Sequence, residues 1–349
     1  MNRTILLVVS SAWQAGTMFS YKRGLESFGY RVETFHLDAA RLAASPAPKI
    51  LDPLVRRLLA HIDIPSMTQR GNRELVAKAM EARPDMVLVT CNEAVRASTL
   101  VHLKVVLPET KLVSIFPDTL FNMRESLVAC LPVYDLFATH TRAGIPQLER
   151  LGCRSPFYLP LAADPALHHP MPLTEADQRR LACDVAYVGN WRPEHEQLFA
   201  RLEGLDFTIW GGPLWDRSRK GSWVRSRWNA YPIDTPEKYA KAHIAAKVCL
   251  NPIDPLNFPG HNQRLFELPA CGAFSLVTRT ADTTSIFREG ESIACFSSAE
   301  ELVEKVRHYL SHGEERARIA AEAHRLVVDG GHTYRDRAGQ LLDRLGMSV

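Results

Sequence analysis

The chain has 349 residues, 46% of them hydrophobic, so it can bury a sizeable core and is long enough for two domains. Its 42 basic and 39 acidic residues leave a formal charge of only +3, which speaks against a nucleic-acid binder, because such proteins concentrate excess basic charge. Seven cysteines are scattered with no Cys-x-x-Cys pair, indicating neither a disulfide framework nor a zinc site and pointing to a reducing, cytoplasmic setting.

The N-terminus, MNRTILLVVSSAWQAG, places one Arg before an apolar run from Ile5 to Val9, which fits a buried first strand better than a secretory signal. No apolar run approaches the roughly 20 residues that cross a bilayer, so a soluble protein is expected. Strands are predicted over 5–9, 31–37, 85–90, 111–116 and 134–140, and again over 184–189, 206–211, 247–252, 273–278 and 292–296. Such continuous apolar runs belong to strands buried on both faces. Their alternation with helical patterns builds parallel sheets through βαβ crossovers.

Two doubly wound α/β domains are therefore expected, over 1–163 and 183–332. The Pro-rich, aperiodic stretch 164–182 reads as a hinge, with His168 and His169 in a solvated loop. After Phe296, SSAEELVEKVRHYL offers Ser298 as N-cap and Glu301 as its capping-box partner. Two more amphipathic helices follow, the last within 333–349 and expected to pack back toward the first domain.

Ligands of open parallel sheets bind beyond the carboxyl ends of the strands, so polar residues that directly follow a strand are the candidates. In the first domain, Gly16 and Tyr21 follow strand one, where a tight turn is the competing reading. Asp118 in FPDTLFNMRES could take a proton from an attacking hydroxyl or cap the next helix. In the second domain, VGNWRPEHE places Gly189, Asn190 and Arg192 before a helix near Pro193. A guanidinium there suits a diphosphate.

GHNQRLFELPACGAF places His261, Asn262 and Arg264 at a helix start and Glu267 one turn in, with Gly272 ending the helix. A carboxylate so placed can accept both hydroxyls of a ribose. The segment 213–231, with its basic residues and three tryptophans, reads either as a packing flap or as a contact for an anionic acceptor or a membrane surface.

The stretches VGNWRPEHE, DFTIWGGPLW, KVCLNP, HNQRLFELPACGAFSLV, SSAEELVEKVRHYL and HTYRDR, in that order, resemble the spore-maturation CgeB-like glycosyltransferases over residues 184–345. The resemblance implies a GT-B fold, two Rossmann-like domains facing across a cleft, with the nucleotide-sugar held mainly by the second. It implies Glu267 as ribose ligand and Arg192 and Arg264 as diphosphate partners. A UDP-sugar is the expected donor and the acceptor is open.

No Asp-x-Asp occurs, so no metal is implied and the reaction is expected to be metal-independent. Many retaining GT-B enzymes carry a glutamate eight residues before the ribose glutamate. Pro259 stands there in this chain, leaving the stereochemistry open. Two alternatives remain at this point: a non-catalytic nucleotide-sugar or glycan binder, and a sugar-nucleotide epimerase on the same fold.

Overall fold

The computed structural model describes residues 3–9, 15–37, 40, 65–90 and 94–347. Its strands, in chain order, are β1 (Thr4–Val9), β2 (Arg31–His36), β3 (Met86–Thr90), β4 (Lys111–Phe116), β5 (Leu136–Thr139) and β6 (Pro156–Tyr158), then β7 (Cys183–Val188), β8 (Phe207–Trp210), β9 (Trp228–Asn229), β10 (Ala246–Asn251), β11 (Ser275–Thr278) and β12 (Ala294–Phe296). They form two six-stranded sheets, ordered β2-β1-β3-β4-β5-β6 and β12-β11-β10-β7-β8-β9. Every pairing within them is parallel. The described helices that matter below are α1 (Ala15–Glu26), α2 (Glu175–Leu181), α3 (Pro193–Phe199), α4 (Pro236–Ile244), α5 (Arg264–Ala270), α6 (Ala299–Ser311) and α7 (Tyr334–Arg344).

Two compact units divide the chain: Met1–Pro160 with Tyr334–Val349, and Leu161–Thr333. In the first, β1, β3 and β4 are almost wholly buried and pack through Val8, Val87, Leu112 and Phe116. The terminal helix α7 lies in this unit and packs on α1. The crossing is close because Gly24 has no side chain: a methyl there would lie 2.8 Å from the Tyr334 carbonyl and 3.1 Å from Ala338 Cβ. Buried Arg337 on α7 donates from Nε to the Pro160 carbonyl at 2.9 Å, which satisfies a charge otherwise costly to bury.

The second unit shows why β7 reads as a continuous apolar run. Val185 and Tyr187 join the cluster on one face of the sheet, Ala186 and Val188 the cluster on the other. Its strand order reverses at β7, which pairs with β8 on one side and β10 on the other. That reversal opens a crevice beyond the carboxyl ends of β7 and β10.

The expected hinge is more ordered than its composition suggested. It belongs to the second unit, and Thr174 and Asp177 form a full capping box on α2. Ser298 caps α6 by accepting from the Glu301 N–H, but the Glu301 carboxylate accepts from Ser297 N–H rather than completing the reciprocal bond. Among the described residues, six cysteines are free and buried, while Cys91 lies outside them. No described helix is long and apolar enough to cross a membrane.

Candidate functional site

At the reversal point β7 ends in Val188 and β10 in Asn251, and Arg264 bridges the two. Its Nη1 donates to the Val188 carbonyl at 2.7 Å and its Nε to Asn251 Oδ1 at 3.2 Å. The guanidinium also lies over the Tyr187 ring, 5.2 Å from its centroid. Asn251 and Asn262 exchange two amide hydrogen bonds of 3.0 and 2.7 Å, which fix the loop that leads into α5.

Gly189 supplies room here rather than donors. Its N–H goes to the Trp210 carbonyl at 2.9 Å and its own carbonyl accepts from Trp215 Nε1 at 2.9 Å. A side chain at this position would overlap Arg264 and Tyr187. Behind it, the Tyr187 hydroxyl donates to the Asn190 carbonyl at 3.2 Å and lies 3.1 Å from His195 Nδ1. Burial, with the nearby Arg264 charge, pushes the His195 imidazole down to about 4, so it is neutral at pH 7.

One turn along α5, Glu267 Oε2 accepts from the Tyr239 hydroxyl at 2.8 Å, and Oε1 lies 3.7 Å from His168 Nε2. Burial and the adjacent carboxylate hold the Tyr239 phenol well above its ordinary range, so it stays protonated and donates a hydrogen bond to Glu267. His168 is thus no solvated loop residue. Its Nδ1 accepts from the Asp164 N–H at 3.3 Å and its ring meets Tyr239 edge-on.

Gly189, Asn190, Tyr239, Asn262, Arg264 and Glu267 line a cavity of about 740 Å³, within the range of small-molecule sites. Asn190, Asn262, Arg264 and Glu267 are polar on its wall, and Trp210, Trp228, Tyr231 and Tyr239 are aromatic. Gly211 and Gly212 let the backbone form part of that wall. A methyl at Gly211 would overlap the Trp215 indole, whereas none obstructs Gly212.

The segment 213–231 is a rim of this cavity. Trp215 is fully buried, Trp228 Nε1 donates to the Gly211 carbonyl at 3.0 Å, and Trp223 stacks on Phe207. Arg225 pairs with Asp216 and lies over the Trp228 ring. The three tryptophans are engaged within the unit, so of the two readings of this segment the structure supports the packing flap and not the membrane contact.

The sequence placed Gly189, Asn190, Asn262, Arg264 and Glu267 in one site, and all five line the cavity. Two companions do not. Arg192 is half exposed and pairs through Nε with Asp254 Oδ2 at 2.9 Å. His261 is fully buried, where Nε2 accepts from the Leu161 N–H at 3.2 Å and Nδ1 lies 3.8 Å from Asp282; it pins the chain entering the unit.

In the first unit, Tyr21 is buried with its ring edge-on to Tyr334 at 5.0 Å, a packing residue rather than a cleft group. Gly16 is exposed in the first turn of α1, and the residues before it, 10–14, lie outside the described residues. Asp118 accepts from the Thr119 N–H at 2.7 Å and from Asn122 Nδ2 at 3.1 Å, which makes it the organiser of its own turn.

Tyr239, Tyr187 and Trp228 were not singled out from the sequence, and His168 was read there as a solvated loop residue. The only available signal was the tryptophan density of 213–231. The link of Tyr239 and His168 to Glu267 is made by tertiary packing alone.

Comparison with known proteins adds three findings. Residues 183–343 match the family described as glycosyl transferase-like. No curated protein matches the chain in sequence. Solved structures match over nearly the whole length. HepE of Anabaena, in complex with UDP-glucose, is similar with a TM-score of 0.67 and 14% identity, covering 98% of this chain and 99% of its own. Sucrose-phosphate synthase from Thermosynechococcus elongatus gives 0.67 and 12%, covering 100% of both chains. UDP-GlcNAc 2-epimerase from Neisseria meningitidis, bound to UDP-GlcNAc, gives 0.54 and 12%, covering 98% and 99%. The fold is GT-B, with two Rossmann-like domains.

Proposed function

We propose that the chain is a glycosyltransferase that moves a sugar from a nucleoside-diphosphate donor, a UDP-sugar, to an acceptor hydroxyl. One observation carries this: the reversal point of the second sheet gathers Arg264, Asn262 and Glu267 on the wall of a cavity of small-molecule size. In this assignment Glu267 accepts the ribose hydroxyls, Arg264 meets the diphosphate, and the base lies against Trp228, Tyr231 and the Gly211–Gly212 backbone. The UDP complex of HepE supports the choice of donor, and the glycosyl transferase-like match over 183–343 supports the reaction class. The narrower CgeB-like assignment belongs to the same proposal.

Transfer breaks the bond between the anomeric carbon and the diphosphate oxygen and forms one to the acceptor oxygen, whose proton must be taken up. Asp118 is the candidate for that proton, held in orientation by Thr119 and Asn122. Arg264 would offset the charge that develops on the leaving diphosphate.

A thermal-shift screen against UDP, GDP, dTDP and CDP tests the donor site. A ligand at 100 times its Kd stabilises by about 2.7 kcal/mol. UDP is expected to give the largest shift, and a flat response to all four would remove the assignment.

The similarity to an epimerase bound to UDP-GlcNAc favours a second reading, interconversion of a sugar nucleotide without an acceptor. Incubation with UDP-GlcNAc alone separates the two. A new sugar nucleotide in the mixture marks an epimerase; release of UDP only when an acceptor is added marks a transferase.

A further inference from the structure

Glu267 is held at Oε2 by a hydrogen bond from its own unit, and a histidine of the same unit stands near Oε1. The Tyr239 hydroxyl has one proton, and it points to Oε2 at 2.8 Å. The His168 ring accepts the Asp164 N–H at Nδ1, so its neutral form carries the proton on Nε2, the nitrogen 3.7 Å from Oε1. Each brace is itself held. His243 bonds through Nδ1 to the Tyr239 carbonyl at 2.7 Å and packs edge-on against the Tyr239 ring at 4.4 Å, while His168 meets that ring from another direction.

A free glutamate has several rotamers, and fixing one on binding costs side-chain entropy. A carboxylate fixed beforehand by one protein donor at Oε2 still has lone pairs on both oxygens for a vicinal hydroxyl pair.

We infer that Tyr239 is a positioning residue that presets the Glu267 carboxylate for a vicinal diol, making the cavity selective for ribonucleotides over 2′-deoxyribonucleotides, with His168 as the weaker second brace. The inference rests on the donor-site reading above and adds a residue and a selectivity to it.

Calorimetric titration of UDP and 2′-deoxy-UDP into wild type, Tyr239→Phe, Glu267→Gln and the double variant tests it. Phe keeps the ring packing and removes only the hydroxyl. UDP is expected to bind Tyr239→Phe about tenfold more weakly, the scale of one hydrogen bond to a charged group, with 2′-deoxy-UDP changed less than about twofold. In the Glu267→Gln background the Tyr239→Phe change is expected to have little further effect, since the two act as one unit.

Equal weakening toward both nucleotides, or the same loss in both backgrounds, overturns the positioning role, as does a Tyr239→Phe variant that binds like wild type. Should Tyr239→Phe fail to fold, His168→Asn gives the second reading: a smaller loss confined to UDP supports the brace, and none or a uniform one overturns it. If wild type binds UDP with no preference over 2′-deoxy-UDP, the diol selectivity fails while the donor site stands. If wild type binds neither nucleotide, the donor site itself fails.

Discussion

Gly189 and Arg264 are packed so closely that a methyl group on the glycine would overlap Nη1 of the guanidinium. The same methyl would meet the Tyr187 hydroxyl. Gly189→Ala therefore has to displace Arg264 from the Val188 carbonyl or distort the end of β7. Overpacking of this kind costs about 1–3 kcal/mol of stability. UDP affinity is expected to fall at least tenfold along with it. A variant with wild-type melting and wild-type affinity would show that Arg264 has slack the geometry denies it.

Arg264 holds two strand ends with a forked group, and an ammonium cannot make both bonds in the same directions. Arg264→Lys is expected to weaken UDP by about tenfold while leaving uridine, which has no diphosphate, nearly unchanged. Equal losses for UDP and uridine would move Arg264 from ligand contact to scaffold.

Two buried histidines set a pH dependence of stability. An unburied imidazole titrates near 6.5, whereas burial pushes His195 down to about 4 and His243 to about 3. Between those values and 6.5 the unfolded chain binds more protons than the folded one. Stability therefore rises with pH through this window and is lost as pH falls from 6.5 toward 4.

Each group removes roughly 2–3 kcal/mol between pH 7 and pH 4.5. Carboxylates held down by ion pairs, such as Glu301 at about 2, add their loss only at lower pH. Urea titrations at pH 7 and 4.5 are expected to show a gap smaller by about that amount in His243→Phe. An unchanged gap would mean that His243 is protonated in the folded state.

Much of the second unit was readable in the sequence. KVCLNP ends a buried strand, the charged helix start follows it, and the parallel-sheet rule then places Arg264 and Glu267 beyond the strand ends, where they line the cavity. The short edge strands β6 and β9 were not legible: each is only part-buried and lacks a continuous apolar run. Arg192 stood at the right point in the chain but its charge is met by Asp254, a pairing no local pattern encodes. Tyr239 reads as an ordinary position of an amphipathic helix, TPEKYAKAHI. Its role appears only when α4 is set against α5.

The absence of Asp-x-Asp in the sequence leads to a further expectation. Sugar transfer, or hydrolysis of the donor, is expected to continue at an unchanged rate in excess EDTA. A loss restored by magnesium or manganese would require a metal at the diphosphate.

The most direct measurement is calorimetric titration of UDP into the wild-type chain and into Glu267→Ala. Glu267 is expected to contribute two hydrogen bonds to the ribose, so its removal should weaken UDP by at least tenfold while the unliganded protein melts within a few degrees of wild type. Wild-type protein that takes up no UDP, or a Glu267→Ala variant that binds it undiminished, would contradict the assignment of this cavity as the donor site.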